Sequence, residues 1–276
     1  MSHGLPSVAD LHSHLVPGVD DGARTVEDAL EGIGRMVAAG VGAVVTTPHL
    51  QASTTLDPEA MGRAMSRMDE GWREISSAVF AEHPDLVFRR GFEVRMDVPD
   101  LAFDDPRIRL GETSYVLIEW PGMQVPPGTS EVIHHLRSRG LRPLIAHVER
   151  YSGGRDRVVQ AREWRRRGAL LQVNLGSLVG RHGSRARTVA FRLLRDGLVD
   201  VLATDFHGRP QYDLHIDTVS ERLRKAGADE QLLLLTSTNP HRIIGDEETE
   251  IVPPLPVGGG LWGRMKDLFN VGPLAE

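Results

Sequence analysis

Two histidines one residue apart, His12 and His14, follow the apolar positions Val8, Ala9 and Leu11. Side chains on a strand repeat every second residue, so both imidazoles share one face. Neutral imidazole is the commonest metal ligand, and Asp20 or Asp21, in the loop Gly18-Val19-Asp20-Asp21-Gly22, adds a carboxylate at the same strand end. The pattern then recurs. Apolar runs end in His49, in Glu93, in Glu119, in His147 with Glu149 and Arg150 just beyond, and in Asp205 and His207. Alone, each of these residues reads as a cap, an ion-pair partner or a solvated group. Together they do not, because burying so many carboxylates and imidazoles without a cation costs on the order of several kcal/mol for each unpaired charge. Two or three divalent metals would resolve that conflict. The candidate ligands are therefore His12, His14, Asp21, His49, Glu93, Glu119, His147, Asp205 and His207. The other seven histidines, His3, His83, His134, His135, His182, His215 and His241, fall at a terminus, on helices or in loops and read as structural or exposed.

The elements that must hold such a set alternate strand and helix. Thr25 and Asp28 form a capping pair ahead of Val26, Leu30, Ile33 and Val37, and Gly40 closes that helix. Asp57-Pro58 opens a second helix, whose apolar stripe is Met61, Met65, Met68, Trp72, Ile75 and Val79. Later strands cover 86–94, 115–120, 142–147, 169–174 and 201–207, separated by helices near 132–136, 162–167 and one capped by Ser184. Helices near 218–225 and 229–235 and the segment 239–244 follow. Alternation predicts parallel strands, and ligand-type residues at their C-terminal ends predict that those ends converge, as in a closed or nearly closed β/α barrel. An open doubly wound sheet is the competing architecture, but its edge strands lie far from its crevice.

Composition sets outer limits. With 276 residues, 40% hydrophobic and 25% charged, the chain suits one large globular domain over 1–252, followed by a Pro/Gly linker from Pro253 to Gly260. In the tail, Leu261, Trp262, Met265, Leu268 and Phe269 fall on one helical face. A net charge of −6 gives no footprint for nucleic acid. No apolar run is long enough for a membrane span, so the expected location is cytoplasmic. The absence of cysteine excludes a disulfide framework and a thiolate nucleophile. The match Gly258-x-Gly260-x-x-Gly263 to a dinucleotide fingerprint follows prolines instead of a strand and carries no weight.

Taken in order, Asp-Leu-His-Ser-His-Leu-Val-Pro-Gly-Val-Asp-Asp-Gly at 10–22, Thr-Thr-Pro-His at 46–49, Gly-Phe-Glu-Val at 91–94, Leu-Ile-Glu-Trp at 117–120, Ala-His-Val-Glu-Arg-Tyr at 146–151 and Thr-Asp-Phe-His at 204–207 resemble the PHP (polymerase and histidinol phosphatase) superfamily. Within it they are most similar to the bacterial manganese-dependent protein tyrosine phosphatases of capsule and exopolysaccharide synthesis. The resemblance implies a distorted seven-stranded barrel with three metals, Mn²⁺ ahead of Fe, Zn or Mg. It allots His12, His14, Glu93 and Asp205 to the first metal, with Glu93 bridging to a second held by Glu119 and His147, and gives Asp21, His49 and His207 to the third. Arg150 and Arg209 match phosphate-binding arginines, although Gly208-Arg209 follows His207 by a shorter link than the family pattern.

The expected reaction is phosphotyrosine hydrolysis by a hydroxide bridging two cations, with the arginines as bidentate donors to phosphoryl oxygens. A tyrosine autokinase is the expected partner, with self-association an open question. A histidinol phosphatase using the same centre, a nuclease, and a metal-stabilised module without catalysis are the rival readings. The nuclease lacks a basic stripe with aromatic platforms.

Overall fold

A computed structural model describes residues 7–102, 104–153 and 156–256. The chain enters through β1 (Val8–Asp10) and turns into α1 (Val26–Ala38), where the Thr25 hydroxyl accepts from the Asp28 N–H at 3.1 Å. Strands β2 (Val41–Thr46) and β3 (His49–Gln51) come next, then α2 (Pro58–Glu82). Asp57 caps α2 on the N–H groups of Glu59 and Ala60, and proline at the first turn lacks only an N–H that has no helical partner anyway. The helix buries Met65, Met68, Ile75 and Val79 along one stripe. Strands β4 (Val87–Arg90), β5 (Glu93–Arg95) and β6 (Tyr115–Glu119) lead to α3 (Thr129–Ser138) and β7 (Arg142–Ile145). Then come α4 (Arg157–Arg166), β8 (Leu170–Asn174), α5 (Leu175–Leu178), α6 (Gly183–Arg195) and β9 (Val201–Ala203). Three helices close the body: α7 (Ile216–Lys225), α8 (Asp229–Leu233) and, after a π turn over Leu234–Thr238, α9 (Asn239–Ile244).

Every strand pairing is parallel. The order is β1-β2-β4 in a three-stranded sheet and β3-β5-β6-β7-β8-β9 in a six-stranded one. This differs from seven uninterrupted strands in a closed ladder. Two runs are each broken in the middle, at Thr47-Pro48 between β2 and β3 and at Gly91-Phe92 between β4 and β5. Proline has no N–H for a ladder, and a Cβ on Gly91 would come 2.8 Å from the Arg109 carbonyl oxygen, so the chain bends at both places. At the other margin, the segments beyond β1 and β9 meet through one parallel bridge, Ser13 with Phe206. His14 N–H donates to Phe206 O at 2.7 Å and Asp205 N–H donates to His12 O at 2.9 Å. The convergence expected at the C-terminal strand ends is thus present, carried by these loops instead of a continuous barrel ladder.

Three boundaries also differ. Ser184 lies inside α6, whose N-cap is His182 and has no side-chain cap. The helix expected over 162–167 starts earlier, because Asp156 caps it on the Val158 N–H. The first part of the supposed linker is packed: Leu255 is buried, as is Val252 just before the linker, Leu255 N–H donates to Leu194 O, and Gln231 Nε2 donates to Pro254 O. Burial of Leu255 and these two hydrogen bonds turn that stretch into a strap. The tail face Leu261, Trp262, Met265, Leu268 and Phe269, the glycines at 258, 260 and 263, and His3 lie outside the described residues. Among the described residues no helix is long and apolar enough to cross a membrane.

Asp200 sits fully buried before β9, accepting from the Leu171 N–H at 2.9 Å and facing Arg165 at 3.1 Å. Burial pushes its carboxyl up to about 6, which Arg165 only partly offsets. Between the ordinary carboxyl range and pH 6 the folded chain holds a proton that the unfolded chain has lost, so this group's contribution to stability falls as pH rises through that window. In Asp200→Asn the difference in melting temperature from wild type should therefore shift in the variant's favour from pH 4 to pH 7. A difference that stays constant across that range would refute the assignment.

Candidate metal centre

The strand ends bring nine sequence-singled residues to one place. Four groups of donor atoms form there: His12 with Glu93 and His147; His12 with His14 and Asp205; His49 with Glu93 and Glu119; and His14 with Asp21, His49 and His207. His12, His14, Glu93, Glu119 and His147 are almost fully buried, while Asp21 is 68% exposed at the rim. Glu93 is central. Its Oε2 lies 3.0 Å from His49 Nδ1, 3.3 Å from His12 Nε2 and 3.6 Å from His14 Nε2, and its Oε1 lies 2.9 Å from His147 Nε2.

The outward partners of the rings decide what faces inward. His14 Nδ1 is 2.6 Å from the buried carboxylate of Asp20, and His12 Nδ1 is 3.2 Å from Gln172 Oε1. Both partners are acceptors, so each Nδ1 carries the proton and each Nε2 presents a lone pair to the centre. Those two nitrogens are 3.3 Å apart. Two lone pairs at that distance repel unless a proton or a cation lies between them. Glu93 Oε2 and His49 Nδ1 are buried without hydrogen-bond geometry to any partner, and Asp205 Oδ1 lies 3.4 Å from His12 Nε2 and 3.5 Å from His14 Nε2. Imidazole nitrogens and carboxylate oxygens converging in this way fit divalent cations with N/O preference.

Charge follows the same logic. Burial would raise the Glu93 and Asp205 carboxyls, but the facing histidines hold both well below the usual carboxylate range. Burial pushes the His12 imidazolium down, and Glu93 and Asp205 more than reverse this, raising it to about 9. The metal-free centre thus keeps protons that a bound cation would displace. Burial raises the Asp10 carboxyl to about 6. Asp10 accepts from the Thr204 N–H at 2.7 Å and from the Thr204 hydroxyl at 3.0 Å, and so ties the exit of β9 to β1.

Backbone shape aims the late ligands. His147 and Asp205 have φ of 32° and 53°, in the left-handed region that non-glycine residues avoid, so the chain turns sharply just past β7 and β9. Gly22 serves the opposite loop. A Cβ there would come 2.2 Å from the His14 carbonyl oxygen, and its N–H donates to Asp20 Oδ1 at 2.9 Å.

The structure also separates Asp20 from Asp21 and adds neighbours that the sequence reading did not single out. Asp20 is the buried partner of His14, whereas Asp21 reaches only the rim, where its Oδ1 is 3.5 Å from His49 Nε2 and 3.6 Å from His207 Nε2. Gln172 Nε2 donates to Asn174 Oδ1, and Asn174 Nδ2 donates to Asp205 Oδ2, both at 2.7 Å, forming a polar rail along β8. Alternating amides in an otherwise apolar strand were the available signal. Arg95 donates to Glu119 Oε1 at 2.7 Å. A cavity of about 650 Å³ opens beside the centre, lined by Arg150, Arg181, His182, His207, Arg209 and His215 among others. Arg150 Nη1 donates to Asp205 Oδ2 at 2.8 Å, and Arg209 Nη2 donates to Asp21 O at 2.7 Å, so both arginines reach this cavity despite the short link before Arg209. His182 and His215, read from sequence as structural or exposed, are half-buried in the wall of this cavity. His182 takes its place through a hydrogen bond with the Ser177 hydroxyl, which donates to the buried Glu149.

The profile of the family described as capsular polysaccharide synthesis, CpsB/CapC, matches residues 8–245. The chain belongs to the CpsB/CapC family. Among CpsB/CapC relatives, the tyrosine-protein phosphatase YwqE of Bacillus subtilis is 27% identical over 250 residues, covering 90% of this chain and 96% of that protein. The tyrosine-protein phosphatase CpsB of Streptococcus pneumoniae is 24% identical over 249 residues, covering 86% and 98%. A chain from the crystal structures of those two proteins, described as unique metal-dependent tyrosine phosphatases, superimposes with a TM-score of 0.72 at 25% identity, covering 91% of this chain and 99% of its own. An organophosphorus hydrolase variant from Deinococcus radiodurans shares the fold alone, at TM-score 0.51 and 18% identity over 87% of this chain and 93% of its own.

If Asp20 sets the tautomer of His14, Asp20→Ala should weaken divalent-cation binding by roughly 10- to 100-fold, the size expected for loss of a partner behind a ligand. Competition titration against a metal-sensitive dye measures it. Unchanged affinity would remove Asp20 from the site.

Proposed function

We propose that this chain is a metal-dependent protein tyrosine phosphatase, and the observation that carries the proposal is the pair of Nε2 atoms of His12 and His14 facing each other at 3.3 Å beside Glu93 and Asp205. The family membership and the names of the relatives support the substrate. Three divalent ions are the reading, Mn²⁺ first, with Fe, Zn or Mg as alternatives. His12, His14, Glu93 and Asp205 would hold one, Glu93, Glu119 and His147 the second, and Asp21, His49 and His207 the third. The donor groups overlap at Glu93, His12, His14 and His49, which supports neighbouring cations with shared walls. Such ions would polarise phosphoryl oxygens and make water nucleophilic at neutral pH.

The chain's own residues bind and orient. Arg150 is fixed at one end by Asp205, and its other N–H groups are available to phosphoryl oxygens in the adjoining cavity. Arg209, tethered to the Asp21 carbonyl, closes the rim from the opposite loop. With no cysteine in the chain, the covalent thiolate route is absent. The finer architecture in this reading is a distorted seven-stranded PHP barrel, with each interrupted run counted as one strand. The phosphotyrosine protein is read as a tyrosine autokinase of capsule or exopolysaccharide synthesis, met in the cytoplasm, with self-association to be measured by light scattering.

Chelation should abolish hydrolysis of a phosphotyrosine peptide and Mn²⁺ should restore it. Turnover should exceed that of histidinol phosphate at equal concentration. The reverse preference, or full activity after exhaustive chelation, would overturn the proposal. Glu93→Ala should lose metal and activity together, whereas Arg150→Ala should keep its metal content and lose about 100-fold or more in kcat/KM, the order seen when one transition-state donor is removed. Elemental analysis alongside steady-state kinetics separates the two.

A further inference from the structure

Away from the catalytic cavity, a cleft of about 530 Å³ lies between the start of α4 and the first turns of α6. Arg157, Arg185, Arg192, Asp156, Ser184 and Thr188 form most of its wall, and none of them lines the cavity beside the metal centre. Arg157 is the anomaly. Its side chain is only 5% exposed, yet among the described residues no carboxylate pairs with it. Nη2 donates to the carbonyls of Tyr151 and Gly153 at 3.2 Å each, while Nε and Nη1 have no acceptor. The rings of Tyr151 and Trp164, 6.0 and 5.8 Å from the guanidinium carbon, give only partial compensation. A buried cation without an anion is costly, and its usual remedy is a counter-ion.

The surroundings supply the rest of an anion site. The thirteen-residue helix α6 begins in the wall of the cleft, and its N-terminus carries no side-chain cap. Asp156 is already engaged, capping α4 and pairing with Arg192 at 2.8 and 3.1 Å. Three guanidiniums against one carboxylate leave the wall at 3 − 1 = +2. Burial, together with the neighbouring Arg185, lowers the Arg157 pKa, as expected for a cation short of negative charge.

We propose that this cleft is a second, non-catalytic site for a phosphate-class dianion, held by Arg157, Arg185 and Arg192 at the start of α6. A planar guanidinium fork matches phosphate oxygens, and a charge of +2 matches a dianion. The inference stands independently of the hydrolytic reading of the metal centre. Its volume admits either free phosphate or a phosphate monoester.

Titration of the full chain with inorganic phosphate tests it, read by tryptophan emission because Trp164 stacks beside Arg157. A saturable change is expected in wild type and in Arg150→Ala. In Arg185→Ala, where an exposed side chain is removed, half-saturation should rise about tenfold or more, the scale of a lost charge-assisted hydrogen bond, with turnover of p-nitrophenyl phosphate unchanged. Arg157→Lys should weaken binding likewise; if that variant fails to fold, Arg185→Ala decides alone. A parallel titration with phenylphosphonate identifies the source: tighter binding than phosphate assigns the site to a monoester, equal or weaker binding to the free anion. No saturable response, or one that Arg150→Ala abolishes and Arg185→Ala leaves intact, would overturn the proposal.

Discussion

The carboxylate of Glu93 has four imidazoles around it, from His12, His14, His49 and His147, all within 3.6 Å. Everything else near the strand ends is arranged to tolerate that crowding. The rings of His12 and His14 cannot turn away, because Gln172 and Asp20 hold their outer nitrogens, and in the neutral rings those same partners take the one proton that each carries. The folded chain has therefore concentrated lone pairs in a dry place and left the neutralising charge to come from outside. Protons can fill part of that role, as the elevated His12 pKa shows, but divalent cations fill it with fewer particles and better geometry.

Holding such a centre costs the backbone something. His147 and Asp205 occupy left-handed φ values, and the sheet gives up continuity at Pro48 and Gly91. The large buried rings of Trp120, Trp164 and Tyr151 pack beneath this region, with Tyr151 5.6 Å from His147, and the Tyr151 hydroxyl oxygen accepts from the main-chain N–H of Trp120. Rigid aromatic packing under strained turns is the general solution for keeping unfavourable conformations populated.

The metal-type residues were legible because of repetition: an apolar run predicts a buried strand, and a polar residue at its end predicts where that strand meets water. The partners behind them were not legible. Nothing in Asp20-Asp21 says which carboxylate turns inward, since that depends on Gly22 allowing the loop to fold onto His14. Likewise Gln172 and Asn174 differ from other strand amides only through what β7 and β9 place beside them. The place of His182 was not legible because loop position carries no information about depth, and only the Ser177–Glu149 contact draws it toward the cavity. The breaks within two of the strands were not legible for a similar reason: periodicity marks residues that could pair, not the bends that divide a ladder.

Gly22 carries a further lesson, for sequence variation and for library design. Its amide and the close approach of the His14 carbonyl leave no room for even a methyl group, although the backbone there is ordinary. Asp21 beside it lies at the exposed rim with its carboxylate facing His49 and His207, so the two neighbours answer to different constraints: one to chemistry that a different donor could supply, the other to excluded volume that no donor can replace. A diversified library at 20–22 should therefore sample only metal-donor side chains at position 21, keep a carboxylate at 20, and leave 22 as glycine.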